Sequence, residues 1–464
     1  MSKYFKCETD KNPLSYKCGE KIIFKITAMD NIINIPCPYI KWQIAGDDGQ
    51  ISTGLGSCTN VEPLIFETTL KSPGFIRLTA TAYNGDKSLI SDFDVLEAGA
   101  GADVEKIPYC DTLPDDFDAY WDEIEKQVAD FPIQVLEKRE LENAQEGYKA
   151  YDVKIAVPNG KNASGIVTIP DKEGNFPISV SFRGYGVSPA TAMYKKDTIK
   201  AEFNAHGINN DKSGMEIEFD NKDLLNYGFS DSENADKYKT YWRNMMIRNL
   251  IAVKYLKTLK SWDKTNLTVM GGSQGALQAT TVAAHDKDVT FLDIAIPWFC
   301  NLKSIKHGFM RGWRPNCAEG LRYFDTVAQA TKVKCPVKII AGLGDYVCPP
   351  STVMALYNSF KGIKSIDFIQ AKTHPYNPPE KDVFTLNFDP ENPKGEIKKG
   401  IYRHFKGNEY HVIDFGFHSE TVEEYVIYKA LYGDGDIWLR PKYMFNEYVV
   451  IDGKPVKRFQ FIKE

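Results

Sequence analysis

The chain has 464 residues, of which 43% are hydrophobic and 26% are charged, and its formal net charge is −5. This length exceeds one ordinary hydrophobic core, so two or three domains are expected. The weak negative charge indicates neither nucleic acid nor an anionic membrane as a partner, and the sequence has no apolar run of about 18 residues that would predict a membrane span.

The cysteines indicate a reducing compartment. The sequence contains 9 of them, scattered and without a Cys-x-x-Cys pair, so it predicts neither a metal site nor a redox pair. The first residues lack an apolar segment followed by a small-residue cleavage site, and we therefore expect no signal peptide in this sequence. We expect a cytoplasmic protein that uses no metal and no cofactor.

The N-terminal residues predict a β-sheet domain. Short β-rich segments alternate with Gly, Asn, Asp and Pro; they cover residues 21–26, 40–44, 64–68 and 75–80. Their length and spacing predict an immunoglobulin-like β-sandwich over residues 1–100. The small-residue run 98–102 predicts a linker. Two roles stay open for this domain, carbohydrate binding and packing or oligomerisation.

Residues 105–390 predict an α/β domain with a doubly wound, mostly parallel sheet. A helix is expected from about Pro114, because a proline and several carboxylates are favourable in the first turn. Apolar strands then alternate with helical segments, which is typical of a parallel sheet. The polar stretch 187–238 predicts loops at the rim of a site.

Gly271-Gly272-Ser273-Gln274-Gly275 lies at the end of an apolar strand, with a small-residue helical segment after it. A Gly-x-Ser-x-Gly sequence in this context is typical of a nucleophile elbow, in which a tight turn exposes the serine hydroxyl above the sheet. The motif alone is weak evidence, so it requires a base, an acid and an oxyanion hole elsewhere in the chain.

The apolar strand 177–182 leads into Arg183-Gly184-Tyr185-Gly186. An α/β-hydrolase places half of its oxyanion hole at the end of such a strand. The backbone N–H of Tyr185 is therefore one candidate donor, and that of Gln274, the residue after Ser273, is the other. A plain strand-end turn would explain the loop 183–186 equally well.

Asp345 and His374 complete a candidate triad. Asp345 ends the strand-like segment 337–345, and His374 stands just beyond the next strand, at the end of segment 366–374. The order Ser273, Asp345, His374 is that of the α/β-hydrolases. Neutral imidazole can take the serine proton near pH 7, and the aspartate orients the ring. Each residue alone has an ordinary alternative, a helix cap for Asp345 and a surface histidine for His374.

Pro297, Trp298 and Phe299 end another buried strand. Ligands bind at this end of the strands in α/β sheets, so these residues could form the wall of a small acyl pocket. Packing in the core is an equally good interpretation.

Three segments resemble the acetyl xylan esterases and cephalosporin-C deacetylases of carbohydrate esterase family seven. They are residues 271–275, the segment Gly342-Leu343-Gly344-Asp345-Tyr346-Val347-Cys348-Pro349-Pro350-Ser351-Thr352, and Asp116-Phe117-Asp118-Ala119-Tyr120-Trp121. The resemblance covers about residues 108–378. It implies deacetylation of acetylated sugars or xylo-oligosaccharides without a metal, Tyr185 as oxyanion donor, and a possible homo-oligomer.

The chain departs from this family at two motifs. The family's Arg-Gly-Gln-Gly element is missing, and its His-Glu pair is His374-Pro375. These departures concern substrate preference and the support of the site more than the reaction type.

The polar, proline-broken residues 380–396 predict a linker, and residues 397–464 predict a small β-rich domain. Residues 398–464 closely resemble a short bacterial domain family of unknown function. This resemblance bears on His418, which precedes Ser419 and Glu420 and is a rival to His374 as the base. Because His418 belongs to the separate domain, His374 is favoured.

We therefore predict a serine esterase that removes acetyl groups from acetylated carbohydrates through an acyl-serine intermediate. A peptidase of the same fold is one alternative, but the sequence indicates no anchor for a peptide terminus. A non-catalytic carbohydrate-binding protein on the hydrolase scaffold is the other, and the presence of Ser273, Asp345 and His374 argues against it.

Overall fold

The structure is a computed structural model and describes residues 3–86, 88–211, 222–419, 423–451 and 454–464. Within these ranges no helix combines the length and the apolar character that a membrane crossing requires.

The N-terminal region, residues 3–102, contains two four-stranded antiparallel sheets whose inward residues share one hydrophobic core. In one sheet β2 pairs with β1, β3 and β6, and the other has the order β5-β4-β7-β8. The strands are β1 (Tyr4–Thr9), β2 (Ile22–Asp30), β3 (Ile33–Asn34), β4 (Cys37–Gly46), β5 (Ile51–Cys58), β6 (Leu64–Thr68), β7 (Gly74–Tyr83) and β8 (Leu96–Ala102). The four predicted segments lie largely within β2, β4, β6 and β7.

The linker predicted at 98–102 is wrong, because these residues form most of β8. Alanine and glycine carry little side-chain volume, and here that allows close packing. Ala98, Ala100 and Ala102 are completely buried, and a Cβ on Gly99 would lie 2.7 Å from the carbonyl oxygen of Leu343 in the following region. Small residues therefore bring this strand against the next part of the chain.

The central region, residues 106–391, is built on a ten-stranded sheet of order β18-β17-β16-β15-β14-β12-β13-β11-β10-β9. Pairing is parallel from β13 to β17 along this order and antiparallel at both edges. The strands are β9 (Val135–Glu140), β10 (Tyr148–Ile155), β11 (Ala163–Pro170), β12 (Phe176–Phe182), β13 (Ile199–Phe203), β14 (Trp262–Gly272), β15 (Phe291–Ala295), β16 (Val337–Gly342), β17 (Lys364–Ile369) and β18 (Val383–Phe388).

Helices with apolar faces pack against this sheet and share its core. They are α1 (Phe117–Asp130), α3 (Tyr241–Leu256), α4 (Gln274–His285), α5 (Thr326–Ala330) and α6 (Pro350–Ser359), whereas α2 (Asp231–Asn234) is a short polar turn of helix before α3. The apolar residues of α1 recur at helical spacing, and Phe117, Trp121 and Ile124 are buried. The predicted α/β sheet of residues 105–390 is therefore present.

Two predictions of irregular structure are wrong in part. The stretch 187–238 contains β13, which is fully buried although it carries Lys200 and Glu202. These charges are satisfied internally: Lys200 Nζ donates to Ser179 Oγ at 2.9 Å, and Arg183 pairs with Glu202 at 2.9 Å. The predicted linker 380–396 contains β18, an edge strand of the large sheet. Residues 212–221 of the first stretch lie outside the described residues.

The C-terminal region, residues 400–464, is rich in β-strands. A five-stranded antiparallel sheet of order β22-β21-β20-β19-β25 is accompanied by a β23-β24 hairpin. The elements are β19 (Gly400–His404), β20 (Glu409–Phe417), β21 (Glu424–Ala430), β22 (Ile437–Pro441), α7 (Lys442–Phe445), β23 (Tyr448–Ile451), β24 (Lys454–Lys457) and β25 (Phe459–Lys463). Its buried core is small and largely aromatic.

Candidate active site

Ser273 lies in a sharp turn between β14 and α4. Its backbone has φ 55° and ψ −121°, a conformation that costs a non-glycine residue free energy of order 1–3 kcal/mol. The turn is fixed by two backbone hydrogen bonds: Ser273 N–H donates to Ala295 O at 2.9 Å, and Trp298 N–H donates to Ser273 O at 3.2 Å. This is the geometry of the predicted nucleophile elbow.

The glycines of the elbow allow three backbone segments to approach closely. A Cβ on Gly275 would lie 2.1 Å from Phe182 O, and one on Gly271 would lie 2.3 Å from the carbonyl group of Gly275. Neither position has room for a side chain. A Cβ on Gly272 would meet its nearest neighbour, Ala295 O, at 3.8 Å, so glycine is not required there on steric grounds.

Asp345 and His374 lie at the same edge of the sheet as Ser273, after β16 and β17. His374 Nδ1 is 2.9 Å from Asp345 Oδ2. The other carboxylate oxygen of Asp345 accepts backbone N–H bonds from Val347 at 3.0 Å and Cys348 at 2.9 Å. Asp345 is 1% exposed, so these three hydrogen bonds fix the carboxylate and leave the outer nitrogen of His374 available for a proton transfer.

Cys348 lies beside this pair, and ligand atoms of Asp345, Cys348 and His374 all lie within 4.8 Å of one another. Such a group could in principle hold a metal ion, for which the cysteine would have to be a thiolate. Burial raises the pKa of the Cys348 thiol well above its usual value, which favours the protonated form. The hydrogen bonds already made by Asp345 and His374 suit an acid–base pair better.

Tyr185 and Gln274, the predicted oxyanion donors, belong to neighbouring segments. Phe182 of β12 is paired with Gly271 of β14, so the loop that follows β12 passes beside the elbow; a Cβ on Gly184 would lie 3.9 Å from Ser273 Cβ. Gln274 is the first residue of α4, where a backbone N–H has no acceptor within the helix. Both donors therefore lie close to Ser273.

Tyr227 connects the two donor segments, a role that no local sequence pattern indicates. Its hydroxyl accepts the N–H of Gly186 at 3.1 Å and donates to Gln274 Oε1. Its ring stacks on Tyr185 with 4.4 Å between centroids and 12° between planes. Tyr227 is buried, so one side chain holds the 183–186 loop against the start of α4.

His206 supports the same loop from behind. Its Nε2 is 3.0 Å from Gly186 O and its Nδ1 is 2.7 Å from the hydroxyl of Tyr241. Burial lowers the pKa of His206 to about 4, so the imidazole is neutral near pH 7, with Nε2 donating and Nδ1 accepting. Tyr227 and His206 both lie in the stretch predicted as loops. The only sequence signal for them is that each is an aromatic or histidine residue within a polar segment.

A group of aromatic rings lies near the turn that contains Ser273. Trp298 and Phe299 are both buried, as the core-packing interpretation expects, and Trp298 lies 5.6 Å from Trp313 and 6.2 Å from Tyr185 between ring centroids. Trp313 is 43% exposed and packs edge-on against Tyr185 at 4.7 Å. Trp313, which the sequence did not single out, forms with Tyr185 the exposed part of this aromatic wall.

His418, the rival to His374 as the base, lies in the C-terminal region. His418 follows β20 and lies 6.2 Å from Tyr425 between ring centroids, whereas the hydrogen bond to Asp345 is made by His374. Ser419 is described, but Glu420 lies outside the described residues. Among the described residues, the histidine that is hydrogen-bonded to Asp345 is therefore His374.

Comparison with known families fits this geometry. The sequence profile described as acetyl xylan esterase (AXE1) matches residues 106–308 and 311–391, more than half of the chain. The chain belongs to the acetyl xylan esterase family. Membership makes it a carboxylic ester hydrolase and assigns it to the enzymes that remove acetyl groups from carbohydrates.

Individual relatives agree with this assignment. The acetyl esterase Axe7A of Xylanibacter ruminicola is 26% identical over 372 residues, which cover 74% of this chain and 80% of the relative. Acetyl xylan esterases from Paenibacillus sp. R4 and from Thermoanaerobacterium sp. JW/SL YS485 have similar structures, each with a TM-score of 0.50. They are 19% and 20% identical, and the alignments cover 59% and 60% of this chain and 94% and 93% of theirs. The predicted α/β-hydrolase fold is confirmed.

The C-terminal region matches a second profile. Residues 400–461 match a family described as a protein of unknown function (DUF1653). The predicted resemblance of this region to a domain family of unknown function is confirmed.

Proposed function

We propose that this acetyl esterase acts through a Ser273–His374–Asp345 triad and an acetyl-serine intermediate, on acetylated saccharides of the xylo-oligosaccharide type. The observation that carries the proposal is the 2.9 Å hydrogen bond between His374 and the buried Asp345, at the same edge of the sheet as the strained elbow of Ser273. Nucleophilic acyl transfer requires an oriented base together with a serine that the substrate can reach.

The proposed reaction has two halves. Ser273 Oγ attacks the acetyl carbonyl carbon while His374 Nε2 takes the hydroxyl proton. The backbone N–H groups of Tyr185 and Gln274 bind the oxyanion, and each such donor contributes about 3–4 kcal/mol. The C–O bond to the sugar breaks, and His374 protonates the departing alcohol. Water then attacks the acetyl-serine with His374 again as base, which releases acetate and restores Ser273.

Hydrolysis of 4-nitrophenyl acetate tests this mechanism. Ser273→Ala is expected to lower kcat by at least about 10⁴-fold, because the nucleophile is lost. His374→Ala should be similarly impaired and His418→Ala should match the wild type. A Ser273→Ala enzyme with the wild-type rate, or an inactive His418→Ala beside an active His374→Ala, would contradict the triad.

The aromatic wall formed by Tyr185, Trp298 and Trp313 supports a preference for the small acetyl group. Rates on 4-nitrophenyl acetate and 4-nitrophenyl butyrate test this preference. We expect the acetyl ester to be cleaved faster, and faster cleavage of the butyryl ester would contradict a small acyl pocket.

The remaining assignments are also proposals. The two N-terminal sheets, which share one core, support an immunoglobulin-like β-sandwich in a three-domain chain with divisions near residues 100 and 390. The free state of the cysteines is consistent with a cytoplasmic location. A homo-oligomer is supported by the exposed Ile437, Trp438 and Leu439 on the edge strand β22, and light scattering would measure its size.

A further inference from the structure

A cavity of about 480 Å³ lies between the N-terminal region and the loop of the catalytic histidine. One wall belongs to the N-terminal region and the other to the central region, residues 106–391, which is the esterase region. The lining residues that matter are Arg77, Asp94 and Glu97 on the first wall and Tyr346, His374 and Tyr376 on the second.

The chemistry of the reaction determines which part of the substrate lies here. His374 must protonate the alcohol oxygen as it leaves, so the alcohol part of the ester is next to this imidazole in the transition state. His374 itself lines the cavity. A sugar that leaves from this imidazole can therefore lie in it.

The wall from the N-terminal region is polar and held in place. Arg77 pairs with Glu97, and its guanidinium carbon lies 4.3 Å from the centroid of the Tyr346 ring. Asp94 is hydrogen-bonded to the hydroxyl of Tyr376; burial and this neighbour raise the pKa of Tyr376 to about 12. Carboxylates accept hydrogen bonds from sugar hydroxyls and a guanidinium donates to them.

Backbone contacts fix this wall relative to the triad. A Cβ on Gly344, the residue before Asp345, would lie 2.0 Å from Glu97 O, so β8 touches the loop of the catalytic acid. The side chain of Gln370 exchanges hydrogen bonds of 3.1 Å and 3.0 Å with the backbone of Gly99. These contacts hold Arg77 on β7 and Glu97 on β8 in a fixed position relative to His374.

We propose that the N-terminal region forms the saccharide-binding wall of the active site, where Arg77, Asp94 and Glu97 bind hydroxyl groups of a neutral acetylated saccharide. The proposal rests on the serine esterase mechanism above and assigns these residues a role in substrate specificity. The charges of the wall are mixed in sign, which suits an uncharged polyol better than an anionic sugar.

Two substrates separate saccharide binding from chemistry. A variant such as Glu97→Gln should reduce kcat/KM for an acetylated xylo-oligosaccharide by about tenfold, mainly through KM, because one charged hydrogen bond to the sugar is lost. The same variant should stay within about twofold of the wild type on 4-nitrophenyl acetate, whose leaving group has no hydroxyls for the wall to bind. Asp94→Asn is a second variant with the same expected pattern.

Glu67→Gln is the matched control, because Glu67 is exposed on the same region and pairs with Lys21 at 2.9 Å; both of its rates should equal those of the wild type. An equal loss on the two substrates in Glu97→Gln and Asp94→Asn, or no loss on either, would overturn the proposal. Failure of the mechanism itself is visible separately, as a Ser273→Ala enzyme that still cleaves 4-nitrophenyl acetate.

Discussion

Individual polar side chains hold the proposed oxyanion donors of this enzyme in place. The 183–186 loop is fixed at three points: Gln278 Nε2 donates to Arg183 O at 2.9 Å, Tyr227 accepts from Gly186 N–H, and His206 donates to Gly186 O. A preorganised oxyanion hole stabilises charge without reorganisation during the reaction. Residues that never touch the substrate can therefore determine kcat.

Tyr227→Phe tests this at a single oxygen atom. The change removes the bridge between Gly186 N–H and Gln274 Oε1, leaves both groups without this partner, and keeps the ring that stacks on Tyr185. We expect kcat on 4-nitrophenyl acetate to fall about tenfold with little change in KM, because the loss acts on the transition state. Steady-state kinetics measure both parameters.

The control for this prediction is Tyr238→Phe. Tyr238 is 51% exposed and its hydroxyl contacts Glu123 at 3.1 Å, so the variant should keep its kcat. A Tyr227→Phe enzyme that is less stable but has the wild-type kcat would show that the bridge is only structural.

His206 predicts a pH dependence of stability. Its pKa is about 4 in the folded protein and 6.5 as the ordinary value, so the unfolded chain binds a proton below pH 6.5 while the folded one stays neutral. The stability contributed by the neutral form is complete above pH 6.5 and is lost as the pH falls toward 4. Between pH 7 and pH 5 the wild type should lose about 2 kcal/mol more unfolding free energy than His206→Gln.

Urea unfolding at the two pH values measures this difference. His411→Gln, a change at an exposed histidine, is the control and should follow the wild type. If His206→Gln and the wild type lose the same free energy between pH 7 and pH 5, His206 is not the neutral buried group described above.

At the scale of secondary structure, the elbow depends on two of its three glycines. Gly275→Ala would place a Cβ 2.1 Å from Phe182 O, a backbone atom of β12 that cannot move independently. We expect this change to destabilise the protein by more than about 3 kcal/mol. Gly272→Ala meets nothing closer than 3.8 Å and should fold normally, so the pair separates a steric requirement from a mere sequence motif. The melting temperatures of Gly275→Ala and Gly272→Ala measure the difference. Equal values for the two variants would contradict the steric requirement at Gly275.

The strands of the central sheet that could be predicted were those with a clear apolar pattern. Segments such as 163–170 and 337–342 are largely buried, apolar strands. Ser273 and Asp345 follow β14 and β16 and lie at one edge of the sheet, as their positions at strand ends predict. Prediction failed at β13, because Lys200 and Glu202 make it look exposed. Their burial depends on Ser179 on β12 and on Arg183 in the loop after it. The sequence of one segment does not show which partners another segment will provide.

The same limit explains which residues were missing from the predicted site. The positions of Ser273, Asp345 and His374 follow from strand ends and chain order, which local patterns show. Tyr227, His206 and Trp313 act through contacts with residues distant in the sequence, and nothing in their neighbours indicates those contacts. The small residues of β8 were mistaken for a linker for the related reason that close packing and flexibility need the same amino acids.

At the scale of the whole molecule, the N-terminal region is attached to the esterase region near Asp345, the proposed catalytic acid. Asp47 is buried and accepts the N–H of Phe75 at 2.8 Å on its own side and that of Met310 at 3.0 Å across the boundary. Burial raises the pKa of Asp47 to about 6. Together with the contact of Gly344 and Glu97, these bonds make the position of Asp345 depend on a region outside the hydrolase sheet.

Gly344→Ala tests that dependence. The new Cβ would lie 2.0 Å from Glu97 O and 2.7 Å from its carbonyl carbon, so either β8 or the loop that carries Asp345 must move. Displacement of a catalytic group by about 1 Å can cost about 100-fold in rate, and we expect at least a tenfold loss of kcat on 4-nitrophenyl acetate with a lower melting temperature. Gly362→Ala, whose Cβ would meet its nearest atom at 3.5 Å, should preserve both quantities. Wild-type kcat and melting temperature in Gly344→Ala would mean that the N-terminal region can separate from the catalytic acid without consequence, and that the triad is held by the esterase region alone.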